Sequence, residues 1–514
     1  MPAIVPVTGY PSSYRTPGIG MEIVYASGDS ISGAGAREIL IVGPKLAAGT
    51  YTAGTVYGPI KTEAEVITGA GAGGRIHRIF KQLSKCNKTA TVYILPYAET
   101  TGGSPAQAVG NWVISGTATS SFNWPLNICG EECSLYIKTG DDYAAVATAL
   151  RALVNLKTYM PFTAAGSAGT VAFTSKHYGT SGGNGTYNPL RIFADAPGNG
   201  LTVTMAEIGA TTAGAEGSTT ESATLTTALT AVDGRYFYYY AYDNFANTSA
   251  MSALKTHIAA KSAPRYGRLA YLLSGYNGTV AAFTTIANGL NYERMECGLQ
   301  PYADVDPATI CGQMVATHQL VRETDMANGL INYAKADWAL PPTSRTAYWV
   351  DEDDISDGIA AGASMIVSKT GGTFLAISIT TRSKDSTGTY ADFRAAESHR
   401  ISVADYCALD LKSTLSIYVG QGFKAHPKLA NGNPDPNAKI PRGVTTDFTI
   451  RPIYIAKINE WEAAGLTQNA TATIASLTIA KSPINAGRLE SGFSLYSRDN
   501  LSQITCRIAE ASAA

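Results

Sequence analysis

Residues 38–42 (EILIV), 75–83 (RIHRIFKQL) and 91–95 (TVYIL) are three pieces of one stretch, and their order decides the fold. The first and third are short, continuous apolar runs rich in β-branched residues, the mark of strands buried on both faces. In the middle piece Ile76, Ile79, Phe80 and Leu83 recur at helical spacing, so one side is apolar. Residues 62–67 ahead of it have the same spacing. Strand, helix, strand is the unit of a parallel sheet, because parallel neighbours need a crossover.

Outward from this unit the rhythm stops and then returns. Residues 111–230 shift to Gly, Thr, Ser and Ala, with strand-like pieces at 112–115, 134–138, 170–174 and 201–205. One helix is expected at 142–156, with Asp141 as its N-cap. Glycine turns at 179–185 and 197–200 separate the strands, so this segment reads as an inserted, mainly-β domain. The α/β rhythm resumes with a strand at 236–242 (YFYYYAY), a helix at 248–260, a strand at 268–273, a helix at 280–289 and a strand at 296–299. Asp306-Pro307 pairs an N-cap with an N1 proline and opens a helix to about residue 322. Further on, helices are expected at 355–363, 403–419 and 448–464, the last ended by Gly465. Strands are expected at 374–380 and, from its alternation, 470–480, with a further segment at 488–496. The organisation is an N-terminal arm (1–30), an α/β domain (31–110 with 231–350), the inserted domain (111–230), a C-terminal domain (351–499) and a C-terminal arm (500–514).

Both arms look like strands. In 502–510 (SQITCRIAE) Ile504, Cys506 and Ile508 share one face, and Gln503, Thr505 and Arg507 the other. In 21–26 (MEIVYA) Met21, Ile23 and Tyr25 alternate with Glu22 and Val24. A strand needs a neighbour for its N–H and C=O groups. These arms either close a sheet within their own chain or add to sheets of neighbouring chains.

The 514 residues suffice for two to four domains. With 45% apolar and 15% charged residues the chain is globular. Its net charge of −1 argues against a general nucleic-acid binder. The 29 Tyr against 13 Phe suit large contact areas between proteins, since Tyr offers area with a polar tip. No run approaches the ~20 apolar residues of a membrane span. The first residues lack a basic n-region and an apolar core, so synthesis and folding in a cytosol are expected. Of seven cysteines only Cys129 and Cys133 lie close, with no partner nearby to complete a zinc site. Buried free thiols are one reading. Cross-links between subunits, through Cys129, Cys133 or Cys506, are the other, which an odd count permits.

Motifs for chemistry occur out of context. Gly69, Gly71 and Gly74 spell GxGxxG, but a helix, not a strand, precedes them, and the nearest acid is Glu99. Gly179, Ser181 and Gly183 spell GxSxG, but a turn-like stretch follows where a nucleophile elbow needs a helix. There Ser181 is expected to meet solvent. Asp351-Glu352-Asp353-Asp354 lacks the glycine and distal glutamate of a calcium loop and reads as the start of a helix. The six histidines are scattered. No catalytic residue, cofactor or metal is implied, although distant Ser, His and Asp residues can still converge.

Several stretches together resemble the tail sheath protein of contractile phage tails, in the Mu-like branch. They are REILIVGPKLAAGT (37–50), KTEAEVITGAGAGGRIHRIFKQ (61–82), TVYILPYAE (91–99), YIKTGDDYAAVATALRALVN (136–155) with VAFTSKHYGTSGG (171–183), 371–419 with its Thr380-Thr381 pair, and EWEAAGLTQNATA (460–472). The seven cysteines depart from the pattern. The resemblance implies an α/β (α+β) multidomain chain with a mixed-sheet core, an inserted mainly-β domain and strand-like arms. It implies a structural virion protein that stacks as hexameric rings around a tail tube, with the core facing the tube and the insertion facing outward. The arms would pair with sheets of neighbouring copies. Contraction, triggered at the baseplate, would drive the tube through the host envelope. Implied partners are further copies of the chain, the tail tube protein, and baseplate and neck or terminator proteins, with no direct nucleic acid and no membrane insertion. Assembly would take place in the host cytoplasm. The alternative is a soluble α/β enzyme with a β insertion, which predicts a ligand at the C-terminal ends of the strands.

Overall fold

The computed structural model describes residues 37–264, 266–385, 396–431, 434–485 and 487–501. The arm residues Met21, Glu22, Ile23, Val24 and Tyr25, and Gln503, Ile504, Thr505, Cys506, Arg507 and Ile508, lie outside the described residues.

A mixed eight-stranded sheet runs in the order Gly372–Leu375, Ser364–Lys369, Met295–Leu299, Tyr271–Tyr276, Tyr239–Ala241, Ile39–Pro44, Val92–Tyr97, Tyr57–Ile60. The six inner strands are parallel, and each outermost strand is antiparallel to its neighbour. Side chains alternate between two cores, as the pleat requires. Ile39, Ile41, Val92, Ile94, Tyr239 and Leu273 enter one. Leu40, Val42, Tyr93, Leu95, Tyr240 and Leu272 enter the other. The helices Arg75–Cys86 and Pro307–Thr324 cover the first core. Here Gly312 lets the two backbones meet, since a Cβ on it would stand 2.5 Å from the Ile79 carbonyl oxygen. The helices Glu221–Leu229, Thr248–Ser262 and Val280–Leu290 cover the second.

Between Val92–Tyr97 and Tyr239–Ala241 the chain builds a separate β-rich unit. Leu201–Met205, Gln107–Gly116, Thr170–Tyr178 and Phe162–Ala165 form one antiparallel sheet, and Glu131–Ile137, Phe122–Ile128 and Ile192–Ala194 another. Their core holds Trp112, Trp124, Phe162 and Phe173 against the helix Tyr143–Leu156. Asp142, not Asp141, caps that helix, accepting from the Ala145 N–H at 2.8 Å. Asp141 accepts from the Lys138 N–H one turn earlier.

The last third differs from expectation in two places. Of the strand expected at 374–380 only Gly372–Leu375 forms, as a hairpin with Ser364–Lys369, so the main sheet continues to residue 375. Residues 470–480 are not one strand: Ala470–Ser476 is a helix and Thr478–Lys481 a strand. Ala470, Thr473, Ile474 and Leu477 fit a helical face as well as the alternation does. The core lies on one side only, and Asn469 caps the helix by accepting from the Ala472 N–H at 3.1 Å. With Ser398–Leu415, Asp447–Ala463 and the strand Leu489–Gly492 these elements enclose a fourth core around Trp461, Tyr454 and Cys407.

Candidate functional site

The chain order leaves Ile39–Pro44 in both directions, through Val92–Tyr97 on one side and Tyr239–Ala241 on the other. The crevice at the C-terminal ends of those strands is where an open α/β sheet holds a ligand. In this chain it holds paired side chains. Arg75, first residue of its helix, donates through Nε to Asp243 Oδ1 and Oδ2 at 2.8 and 3.0 Å and through Nη1 to Glu221 Oε1 at 2.5 Å. Glu221 also accepts from the hydroxyls of Tyr97 and Tyr242 and from Asn244 Nδ2. Burial by itself would raise the Glu221 carboxyl, but Arg75 and these donors outweigh it and hold it down at about 2. One turn on, Arg78 donates through Nε to Asp306 Oδ1 and through Nη2 to Thr309 Oγ1, both at 3.1 Å.

The inserted domain plugs what remains. His177, near the end of its strand, accepts the Arg75 backbone N–H on Nε2 at 3.0 Å and bonds Glu99 through Nδ1. A helix N-terminus that can bind a phosphate elsewhere is thus capped from within. Glu99, the acid nearest the expected ribose position, is committed to the same histidine. Lys176 Nζ donates to the carbonyls of Ala72 and Thr158 at 2.9 and 2.6 Å. Burial, then Arg78, pulls this amine down to about 8. Asn277 Nδ2 donates to the Pro189 and Val305 carbonyls, and Tyr187 donates to Asn277 Oδ1 while its ring stacks on Tyr276. The cavity left between Arg75, Arg78, His177, Ser181, Asp243 and Asp306 admits only water-sized occupants.

The motifs fall as the spacing indicated. Gly69 and Gly71 end the helix Glu63–Ala70, and Gly74 caps the next one, so the Gly-rich run is a helix connection. Ser181 sits in the short turn Thr180–Gly182 with no helix after it; it is half-buried on the small cavity, where exposure to solvent was expected. Asp351 caps the helix Glu352–Ala360, accepting from the Asp354 N–H at 2.9 Å. One Ser, His and Glu do converge. Ser378 Oγ lies 3.2 Å from His318 Nε2, and Glu296 Oε1 3.2 Å from the same nitrogen. Both partners use one ring nitrogen, so the acid cannot orient the base for the hydroxyl as a triad requires. All three residues are sealed from solvent. Cys129 is buried, its thiol facing Arg78 and Asp306, and Cys133 is half-buried on an outer strand of its sheet. Burial pushes both thiols up.

At the other end of the sheet the C-terminal unit docks through charge. Arg294, just before Met295–Leu299, grips Asp405 of the helix Ser398–Leu415, donating through Nη1 to Oδ2 and through Nη2 to Oδ1, at 2.8 and 2.7 Å. Tyr238 donates its hydroxyl to the same carboxylate at 2.9 Å. In the C-terminal part of the chain Ile417, Val419, Phe448, Ile484 and Leu501 are each exposed. Thr478–Lys481 pairs only with Leu489–Gly492 among the described residues, which leaves a two-stranded sheet with an open edge on each side. Sequence reading missed Arg75, Arg78, Glu221, Asp243, Arg294 and Asp405. Arg75, Asp243 and Arg294 border apolar runs, and Arg78, Glu221 and Asp405 carry no such mark.

No protein-family model matches the chain. Over 281 residues it is 24% identical to the Mu-like prophage FluMu tail sheath protein of Haemophilus influenzae, a match covering 55% of each chain. The chain is similar in sequence to a Mu-like tail sheath protein. It spans about half the length of the curated relative it matches. Among solved structures it is similar to a sheath tail protein of Desulfitobacterium hafniense, with 12% identity, a TM-score of 0.45 and coverage of 92% of this chain and 100% of the other. A sheath tail protein of Listeria innocua follows at 12% identity and a TM-score of 0.42, covering 90% and 96%. A chain of the anti-feeding prophage baseplate in its contracted state shows 10% identity and a TM-score of 0.45, covering 98% and 100%.

Proposed function

We propose that this chain is a structural subunit of a contractile tail sheath, stacking as hexameric rings around a tail tube and contracting to drive the tube through a host envelope. The sequence likeness to a Mu-like tail sheath protein carries the proposal. The occupied crevice supports it over the soluble-enzyme alternative, because the place where an α/β enzyme would bind its ligand is filled by the chain's own insertion. In this reading the partners are further copies, the tube protein, and baseplate and neck or terminator proteins. The core faces the tube, the insertion faces outward, and the particle is assembled in the host cytoplasm. The arms, through residues 21–25 and 503–508, add as strands to a neighbour's sheet, and the open-edged pair Thr478–Lys481 and Leu489–Gly492 is the receptor. A ladder suits a joint that survives re-packing: each backbone bond gives only about 0.5–1.5 kcal/mol net, but several sum.

Negative-stain microscopy tests this. The full chain is expected to form long tubes, and a chain lacking residues 1–30 and 500–514 only rings or dispersed subunits. Long ordered tubes from the shortened chain would sink the donated-strand joint. Cysteine cross-links between copies are part of the proposal for Cys133 and Cys506, with Cys129 enclosed beside Arg78. A purely monomeric band on a non-reducing gel of assembled particles rules them out.

A further inference from the structure

Two segments far apart in the sequence, at Arg37 and at 498–500, meet at one turn. The helix Pro307–Thr324 leads into Asp325, and the next residues fold back on the helix's last arginine. Arg322 is fully buried and donates through Nη1 to the Met326 carbonyl at 3.0 Å and to that of Asn328, which sets the turn rigidly. Asp325 Oδ1 accepts the Ala327 N–H, and Asn328 Oδ1 the Leu330 N–H.

Arg37, the first described residue, is tied to this turn. Its N–H donates to Glu323 Oε1 at 3.3 Å, and its Nη2 lies 2.9 Å from Met326 Sδ. The last described residues are tied to the same turn. Asn500 Nδ2 donates to the Ala327 carbonyl at 3.0 Å, and Arg498 Nη2 reaches Asp325 Oδ2 at 3.3 Å. Adjacent residues, Met326 and Ala327, thus hold Arg37 and Asn500, which are 463 positions apart in the chain. Beyond Arg37 lie residues 1–36, and beyond Asn500 come Leu501 and residues 502–514.

We infer that the turn 323–328 is a common anchor for both terminal arms, so that disturbing the turn, or either end's bond to it, loosens both ends. Arg322 is the positioning residue: it holds the turn and touches neither end. The consequence for assembly rests on the sheath reading, in which a pull on one arm would reach the other through a single rigid turn instead of through the whole subunit. The coupling itself does not rest on it.

Trypsin supplies the test, because each anchored end carries an arginine it can cut after. On the dispersed full chain, below the onset of melting, cleavage after Arg37 and after Arg498 is followed by intact mass. Gly329→Ala places a Cβ about 3.1 Å from Asn500 Nδ2 and crowds the C-terminal anchor without altering either cut site. Glu323→Ala removes the acceptor of the Arg37 N–H. Each is expected to raise both cleavage rates roughly threefold or more, since cleavage tracks the opened fraction. Gln468→Ala, which loses a bond to Asp499 away from the turn, is expected to raise cleavage after Arg498 alone. If Gly329→Ala and Glu323→Ala each act only at their own end, or at neither, the common anchor is wrong. Tube formation has no part in this readout, so the two proposals fail separately.

Discussion

At the scale of single residues, the molecule uses charge where its neighbours are apolar. Asp405 has no solvent exposure, yet it carries the joint between the main sheet and the C-terminal unit by accepting from Arg294 and Tyr238. A buried pair adds little net stability over an apolar replacement, but removing one member strands the other. Asp405→Asn is therefore expected to cost about 3–5 kcal/mol, because the Arg294 charge stays buried. Urea titration followed by tryptophan fluorescence checks this, and an unchanged midpoint would show that the joint does not depend on the charge. The sequence held little sign of such pairs. Arg294 lies in NYERMECGL and Asp405 in a helix with a weak apolar stripe. Nothing local tells a surface charge from one that a distant segment will cover.

Elements were more legible than residues, and the reasons are physical. The parallel strands announced themselves as continuous apolar runs because both faces are buried. The helix Pro307–Thr324 announced its start through Asp306-Pro307, although its almost complete burial hides any amphipathic stripe. Short strands were read too long or in the wrong place. Of the YFYYYAY run Tyr239–Ala241 forms the strand, and the flanking Tyr238 and Tyr242 extend it by single backbone bonds, the Tyr238 carbonyl accepting from the Tyr271 N–H at 2.7 Å and the Tyr242 N–H donating to the Leu273 carbonyl at 3.1 Å. Residues 470–480 misled because small residues satisfy two periods at once. The crevice was legible only by exclusion: the Gly-rich run was out of context, but nothing in it named His177 as the group that caps the helix. Capping of the insertion's helix gives a test at this scale. Asp142→Ala is expected to cost about 1 kcal/mol of local stability, whereas Asp141→Ala leaves the cap bond in place. Hydrogen exchange of the amides of residues 143–146 separates the two. Protection lost in Asp141→Ala and kept in Asp142→Ala would return the cap to Asp141.

Over the whole molecule, the main sheet is gripped at both ends, by the insertion at the C-terminal ends of its strands and by the C-terminal unit at their N-terminal ends. Both grips are polar and buried, so acidity bears on the whole body. Burial lowers the affinity of His77, His257 and His399 for protons; Lys261 adds to this at His257, and Arg322 and Arg400 at His399. His257 is brought down to about 4. The unfolded chain takes up protons on these rings near 6.5, and the folded chain resists them. The unfolded state therefore binds more protons, and stability rises with pH across this window. It is complete above about 6.5 and falls as pH drops toward 4. Glu221 then acts in a lower window. Held at about 2, its carboxylate contributes fully above the ordinary carboxyl range near 4.5 and loses that contribution as pH falls toward 2. The expected outcome is a two-stage loss. A first decline of the melting midpoint between pH 7 and 4 is reduced by His257→Gln. A second decline below about 4.5 is reduced in Glu221→Gln, which is itself less stable at pH 7 because Arg75 loses a charged partner. A midpoint flat from pH 7 to 4 would mean that the folded chain takes up protons on these histidines as readily as the unfolded chain does.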